Sequence, residues 1–269
     1  MLAFAANSIL CRLALAHNSI DPASFTLARI GAGVVTLWLI LGVRRKAGSV
    51  AGTWRGALAL FTYAAAFSWA YITLSASTGA LLLFGAVQAT MVAAGLVRGE
   101  KLANRQWLGF LLALGGLAVL LIPSASAPPL GGALLMLAAG VAWGAYSLLG
   151  RGAADPLAAT AGNFLRALPM AVAAFAVASM IGTHQRPDGL LYAALSGAIA
   201  SGLGYTIWYA ALPSLSPVQG ASVQLSVPVI TALAGTLALA EGISVRLALT
   251  SVAILGGIGL VIGSRPRVP

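Results

Sequence analysis

"GALLLFGAVQATMVAAGLVRGE", residues Gly79 to Glu100, aligns without gaps on "GASVQLSVPVITALAGTLALAE", residues Gly220 to Glu241. The same offset of 141 residues continues downstream, where "LGGLAVL" at Leu114 recurs as "LGGIGLV" at Leu255. Upstream, "DPASFTLAR" at Asp21 has a looser counterpart in "DPLAATAGNFLR" at Asp155, which is three residues longer. Self-similarity at a fixed period marks a repeat architecture. The chain therefore divides into a first repeat over residues 1–126 and a second over residues 127–269.

Composition says where such a repeat can live. Of 269 residues, 60% are hydrophobic and 7% charged, against about 25% charged in an ordinary soluble domain. Apolar runs of roughly 20 residues recur from end to end, the length that crosses about 30 Å of hydrocarbon. Read against their breakers, they predict ten helices: Leu2 to Ala16, Ser24 to Val43, Trp54 to Thr73, Thr78 to Val97, Asn104 to Ile122, Leu130 to Leu149, Leu157 to Ile181, Gly189 to Ala210, Val218 to Ala240 and Arg246 to Gly263. The breakers are short and rich in turn residues, as in "NSIDP", "RGEKLAN" and "PSASAPP".

Five helices per copy is an odd number, so the second copy enters the membrane from the opposite side. The expected fold is an all-α membrane protein of ten transmembrane helices, arranged as two inverted five-helix repeats around a central cavity. That architecture places a binding site near the midplane, where the halves meet, and supports exchange between inward-open and outward-open states.

Lysine and arginine in the short loops set the orientation. With the N-terminus inside, the cytoplasmic side receives Arg44, Arg45, Lys46, Arg55, Arg98, Lys101, Arg105, Arg151, Arg265 and Arg267, and the far side only Arg186 and Arg246. Both termini are expected to be cytoplasmic. The net charge of +10 is thereby read as a topology signal, with no nucleic-acid partner implied. Ala14 and Ala16 have the spacing of a signal-peptide cleavage site, but no basic stretch precedes the apolar run and Arg12 interrupts it, so no cleavage is expected. The single cysteine, Cys11, excludes an intrachain disulfide.

The five-plus-five repeat, the arginine of "LARIGAG", the segments ending in "RGE" and "LAEG" and the paired "LGG" motifs resemble the drug/metabolite transporter superfamily, in its ten-helix EamA-type branch, and more narrowly its bacterial amino acid and metabolite exporters. The resemblance covers essentially the whole chain. It implies a carrier of the bacterial inner membrane with the fifth and tenth helices peripheral and the others around a cavity. It also implies a small organic substrate, most often an amino acid, moved outward. The chain departs from many relatives in starting almost directly with the first helix.

All five acids, Asp21, Glu100, Asp155, Asp188 and Glu241, fall in loops or at helix ends. Without a midplane carboxylate to titrate, facilitated diffusion or exchange is favoured over proton coupling, with a loop acid or His17 as the alternative proton site. Two distant histidines and one cysteine provide no metal site, no cofactor is implied, and the paired deep acids of membrane-embedded enzymes are missing. The expected partners are a small-molecule substrate and membrane lipid, in a monomer or homodimer.

Substrate contacts are expected from polar and aromatic residues at mid-depth: Asn7, Tyr63, Trp69, Tyr71, Gln88, Trp143, Tyr146, Tyr205 and Gln224, with Trp208 and Tyr209 nearby. A buried amide in hydrocarbon needs a partner, which an interhelical hydrogen bond supplies as readily as a substrate does. Trp143 and Tyr146 are three residues apart on one helix face, where they either pack or form a wall for an apolar side chain. Pro169 and Pro228 lie within helices and permit kinks, and Pro228 in "QLSVP" is assigned to a gate or contact. Arg29 is expected to reach outward toward Asp21, and Arg166 toward Asp155, as a pseudo-symmetric pair at opposite mouths. Gating or anchoring is their expected role, with direct substrate binding by Arg29 as the alternative. A sugar-phosphate or organic-anion exchanger, which would need cations at the cavity centre, and a non-transporting scaffold or sensor are the other functional readings.

Overall fold

The computed structural model describes residues 1–44, 51–99, 101–123, 127–150, 153–211, 224 and 226–263. The helices are α1 (Leu2–Ala16), α2 (Pro22–Val43), α3 (Trp54–Ala70), α4 (Ala76–Val97), α5 (Asn104–Leu121), α6 (Leu130–Leu149) and α7 (Pro156–Ser179). They are followed by α8 (Pro187–Leu195), a π-helical segment (Ser196–Leu203), α9 (Gly204–Ala211), α10 (Ser226–Leu239) and α11 (Val245–Gly263). Seven spans are long and apolar enough to cross a membrane: α2, α4, α5, α6, α7, α11 and the continuous run Pro187–Trp208. Among the described residues there is no strand, only one isolated antiparallel bridge between Ile20 and Gln185.

The helix starts follow from local chemistry. Asp21 accepts from the Ala23 and Ser24 amides and Asp155 from the Ala158 amide, each with proline next in the chain. Both copies of the "DP" motif thus combine a carboxylate cap with a residue that has no donor to lose. Thr53 and Ser75 cap α3 and α4 in the same way. Three expected starts consequently shift: α2 begins two residues earlier than Ser24, α4 two earlier than Thr78, and α7 at Pro156.

Helix pairing is set by small residues. Each "LGG" motif packs on the partner helix: a Cβ on Gly257 would lie 2.4 Å from the Gly109 carbonyl oxygen, and one on Gly116 would lie 2.8 Å from Ile254. This pairs α5 with α11, and both also pack on α4. Gly140 and Gly144 bring α6 against Leu83, Ala86 and Thr90 of α4, the close approach that small residues four apart permit. Elsewhere α2 packs on α7 and the π segment, α3 on α6 and α7, α4 on α10, and α1 on α8 and α10.

Candidate functional site

Three helices and the π segment bring a polar group together among aromatic rings. The Asn7 amide, on α1, donates to the Tyr63 hydroxyl of α3 at 3.1 Å. Arg29, on α2, donates from Nη2 to the same oxygen at 3.0 Å. Ser196, the first residue of the π segment, donates to Asn7 Oδ1 at 2.6 Å. Single-turn π geometry recurs at functional sites, and here it sets a serine hydroxyl against the amide. Gly197 lets that segment lie on α2, since a Cβ there would fall 2.1 Å from the Arg29 carbonyl oxygen.

Arg29 is 2% exposed. Its guanidinium carbon sits 5.1 Å from the ring centres of both Tyr63 and Phe67, a cation–π arrangement that contributes about 2 kcal/mol when desolvated. Its Nη1 is buried without a hydrogen-bond partner. Among the described residues, no carboxylate lies within ion-pair distance of it. This corrects the expectation that Arg29 reaches Asp21. The Asp21 carboxylate is already engaged by its own helix start, by the Ser24 hydroxyl at 2.6 Å and by the His184 amide at 3.1 Å.

The rings form a continuous wall. Trp143 lies 4.9 Å from Tyr63, 5.1 Å from Tyr205 and 5.5 Å from Tyr146, stacked on the last. Phe4 packs edge-on against Trp143, Tyr205 and Trp208, and Phe164 against Tyr205. Phe67 links Tyr63 to Tyr71, whose hydroxyl donates to the Ala76 carbonyl. Between Asn7, Ser8, Tyr63, Trp143 and Tyr205 a cavity of about 20 Å³ remains. That is room for a water molecule and for nothing as large as an amino acid.

Of the residues expected to contact substrate, Asn7, Tyr63, Trp143, Tyr146 and Tyr205 meet in this cluster, with Tyr71 at its edge. Gln88 does not: it lines a narrow groove between α4, α5 and α11 with Gly85, Phe110 and Ile258. Trp69 is half-buried on α3 outside the ring contacts, and Gln224 is half-buried and helical. The Tyr209 side chain lies outside the described residues. Pro228 is buried and lines a separate cavity of about 260 Å³ between α4, α10 and α11, with Ser77, Val229 and Leu247. Arg166 donates to the carbonyls of Ala51 and Gly162, at 2.9 and 3.0 Å, where Asp155 was the expected partner.

Phe4, Phe67, Phe164 and Ser196 are members that sequence reasoning passed over. So is a contact set at one end of the molecule. Arg12 pairs with Glu241 at 3.2 Å and donates to the Tyr71 and Ile72 carbonyls, while Glu241 accepts the Ala76 amide at 2.8 Å. Beside it, Ser19 donates to Asp188 at 2.6 Å, the Arg186 amide donates to the Ser19 carbonyl, and Gln185 donates to Ser24. The spacing of "DP" to "DP" aligns Arg12 with Tyr146, a pairing available in the sequence that marks Arg12 as private to one copy.

Comparison with known proteins bears on this arrangement. The model of the EamA-like transporter family matches residues 130–263. An uncharacterized protein of Pseudomonas aeruginosa is 60% identical over 270 aligned residues, covering 98% of this chain and 92% of that protein. A crystal structure of a protein described no further superposes with a TM-score of 0.65 at 21% identity, over 96% of this chain and 95% of that one, which is a likeness of fold. With its apolar helices, the chain is a multi-pass membrane protein and belongs to the EamA-like transporter family.

Proposed function

We propose that this chain is a secondary transporter that moves amino acids or similar small metabolites, aromatic ones included, outward across the bacterial inner membrane by alternating access. In this reading residues 1–126 and 127–269 are inverted five-helix repeats, the chain crosses the membrane ten times, and both termini are cytoplasmic. Helix pairing supports it. A two-fold relation between the copies pairs α2 with α7, α4 with α10 and α5 with α11, and those helices pack on each other. It also matches α3 on α6 with α8 on α1, and α4 on α6 with α10 on α1, which likewise pack. The ten-to-two distribution of loop cations supports the orientation.

The observation that carries the substrate reading is the Arg29, Tyr63, Asn7 and Ser196 cluster, set under rings from both copies. A few convergent polar groups in an apolar wall are what fix the orientation of a small ligand. The polar pole suits a carboxylate and the wall an apolar or aromatic body. An organic-anion exchanger of the same architecture is the second reading, favoured by the burial of Arg29 at the centre, where a cation was not expected.

The test is uptake by proteoliposomes of a panel of labelled amino acids and organic anions, with and without a proton gradient. Protein-dependent, saturable uptake of an aromatic member, independent of the pH gradient, is the expected result. Uphill accumulation driven by an imposed pH gradient would contradict the uncoupled mechanism, and no transport under any gradient would overturn the transporter reading.

A further inference from the structure

We infer that the central cluster selects a monovalent carboxylate with an aromatic or aryl-alkyl body and no ammonium group, and that the membrane potential alone drives this anion outward. The inference rests on the reading of the chain as a transporter with that cluster as its site, and within that reading it chooses the organic anion over the amino acid.

Donor and acceptor capacity is the starting point. The Tyr63 hydroxyl accepts from both Asn7 and Arg29, which occupies both lone pairs and leaves its proton to give. Ser196 fills one of the two lone pairs of the Asn7 oxygen. The one buried atom of the cluster left without a partner is a donor, Arg29 Nη1, and the phenol proton is also free to give. The group also carries a positive charge that does not titrate, with no carboxylate of the described chain in ion-pair range. Arg29 stands directly behind Tyr63 and Phe67, two residues that line the central cavity.

A carboxylate supplies what this group lacks, a negative charge and unfilled lone pairs. An ammonium group brings a second positive charge to a guanidinium that no carboxylate of the described residues balances. A phosphate dianion brings two charges to one guanidinium and leaves one uncompensated in an apolar surround. One negative charge is the matching valence. Phe4, Phe67, Trp143 and Tyr205 then provide ring surface for the rest of the molecule.

Valence has a consequence for direction. A carrier that moves one negative charge and returns empty exports it from a cell whose interior is negative. A potential of 100 mV is worth about 2.3 kcal/mol per charge, which is about a fifty-fold concentration ratio. No coupling ion is then required, which suits a cluster with no acid in it.

The experiment uses the purified full chain in proteoliposomes with a potassium and valinomycin potential at fixed pH. The probes are labelled phenylpyruvate, phenylalanine and phenethylamine, with protein-free liposomes subtracted. Phenylpyruvate is expected to move at least tenfold faster than the other two, its rate rising as the receiving side is made positive and a current accompanying it. Arg29→Gln is expected to lower this rate at least tenfold and Arg29→Lys to restore part of it. Tyr63→Phe, which keeps the ring, serves where Arg29→Gln fails to fold. Phenylalanine transport as fast as phenylpyruvate, without current, would overturn the inference and leave the transporter reading in place. Transport of none of the probes, or of any other panel member, would remove both.

Discussion

Tyr63 is the hub on which the centre depends, because two buried donors share its oxygen. Tyr63→Phe leaves the Asn7 amide and one arm of Arg29 unsatisfied, at a cost of about 1–3 kcal/mol for each group. We expect a lower unfolding temperature in detergent and at least a tenfold loss of uptake, and an unchanged unfolding temperature would show that the bonds are dispensable. Arg29 itself marks the limit of sequence reading at this scale. Its presence in an apolar run was legible, and the direction of its side chain was not. The tilt rule pointed toward Asp21, but the Asp21 carboxylate is filled by its own helix start, while two rings and a phenol oxygen lie within reach. Arg12 and Glu241 carry the second residue-level prediction. Glu241→Gln removes the charge that holds Arg12 and weakens the contact to the α4 start. Faster thiol labelling of a cysteine introduced at Ile72, relative to the same cysteine in the parent, is expected, and equal labelling would show that the ion pair does not hold that end closed.

At the level of elements, glycine position separates contact from empty space. Gly109 and Gly257 face each other where α5 crosses α11, whereas a Cβ added at Gly115 or Gly256 would meet nothing within 4 Å. Gly109→Leu is therefore expected to push the pair apart and lower stability by about 1–3 kcal/mol, as overpacking does, while Gly115→Ala changes little. Thermal unfolding of the two variants checks this, and equal stability would contradict the pairing. The repeat made the "LGG" motifs legible as a set, and which glycine of each pair touches the partner helix required the crossing geometry. Similarly, "SGAIASGL" reads as an ordinary small-residue stretch. Its π form, which turns Ser196 toward Asn7 and lays Gly197 on Arg29, is fixed by contacts between α1, α2 and this segment that no local pattern encodes. Phe4, Phe67 and Phe164 were passed over for a related reason: phenylalanine suits lipid and cavity wall alike, and only the neighbouring helix decides.

For the whole molecule, alternating access requires that one end stay closed while the other opens. The contacts of Arg12 with Glu241, and of Ser19, Ile20 and Ser24 with Gln185, Arg186 and Asp188, join segments of both copies at one end, which the proposed orientation assigns to the outside. With Cys11 first replaced by serine, a disulfide between Ser19→Cys and Asp188→Cys is expected to abolish transport and a reductant to restore it. Full transport in the cross-linked form would show that this end never needs to part. The helix boundaries within a few residues, apart from the Val218 start, which lies outside the described residues, and most of the central aromatic residues were legible from the chain alone, because each is written locally. Which of them share one site was not, because Gln88 and Pro228 lie on the same helices' sequence pattern as cluster residues would and differ only in the face those helices turn to the centre. The most direct test of the account is the initial rate of aromatic carboxylate uptake by purified protein in proteoliposomes, compared among the parent, Tyr63→Phe, Trp143→Ala and Gly115→Ala. The account predicts saturable uptake by the parent and Gly115→Ala, reduced at least tenfold in the two cluster variants. Equal uptake by all four, or by none, would contradict it.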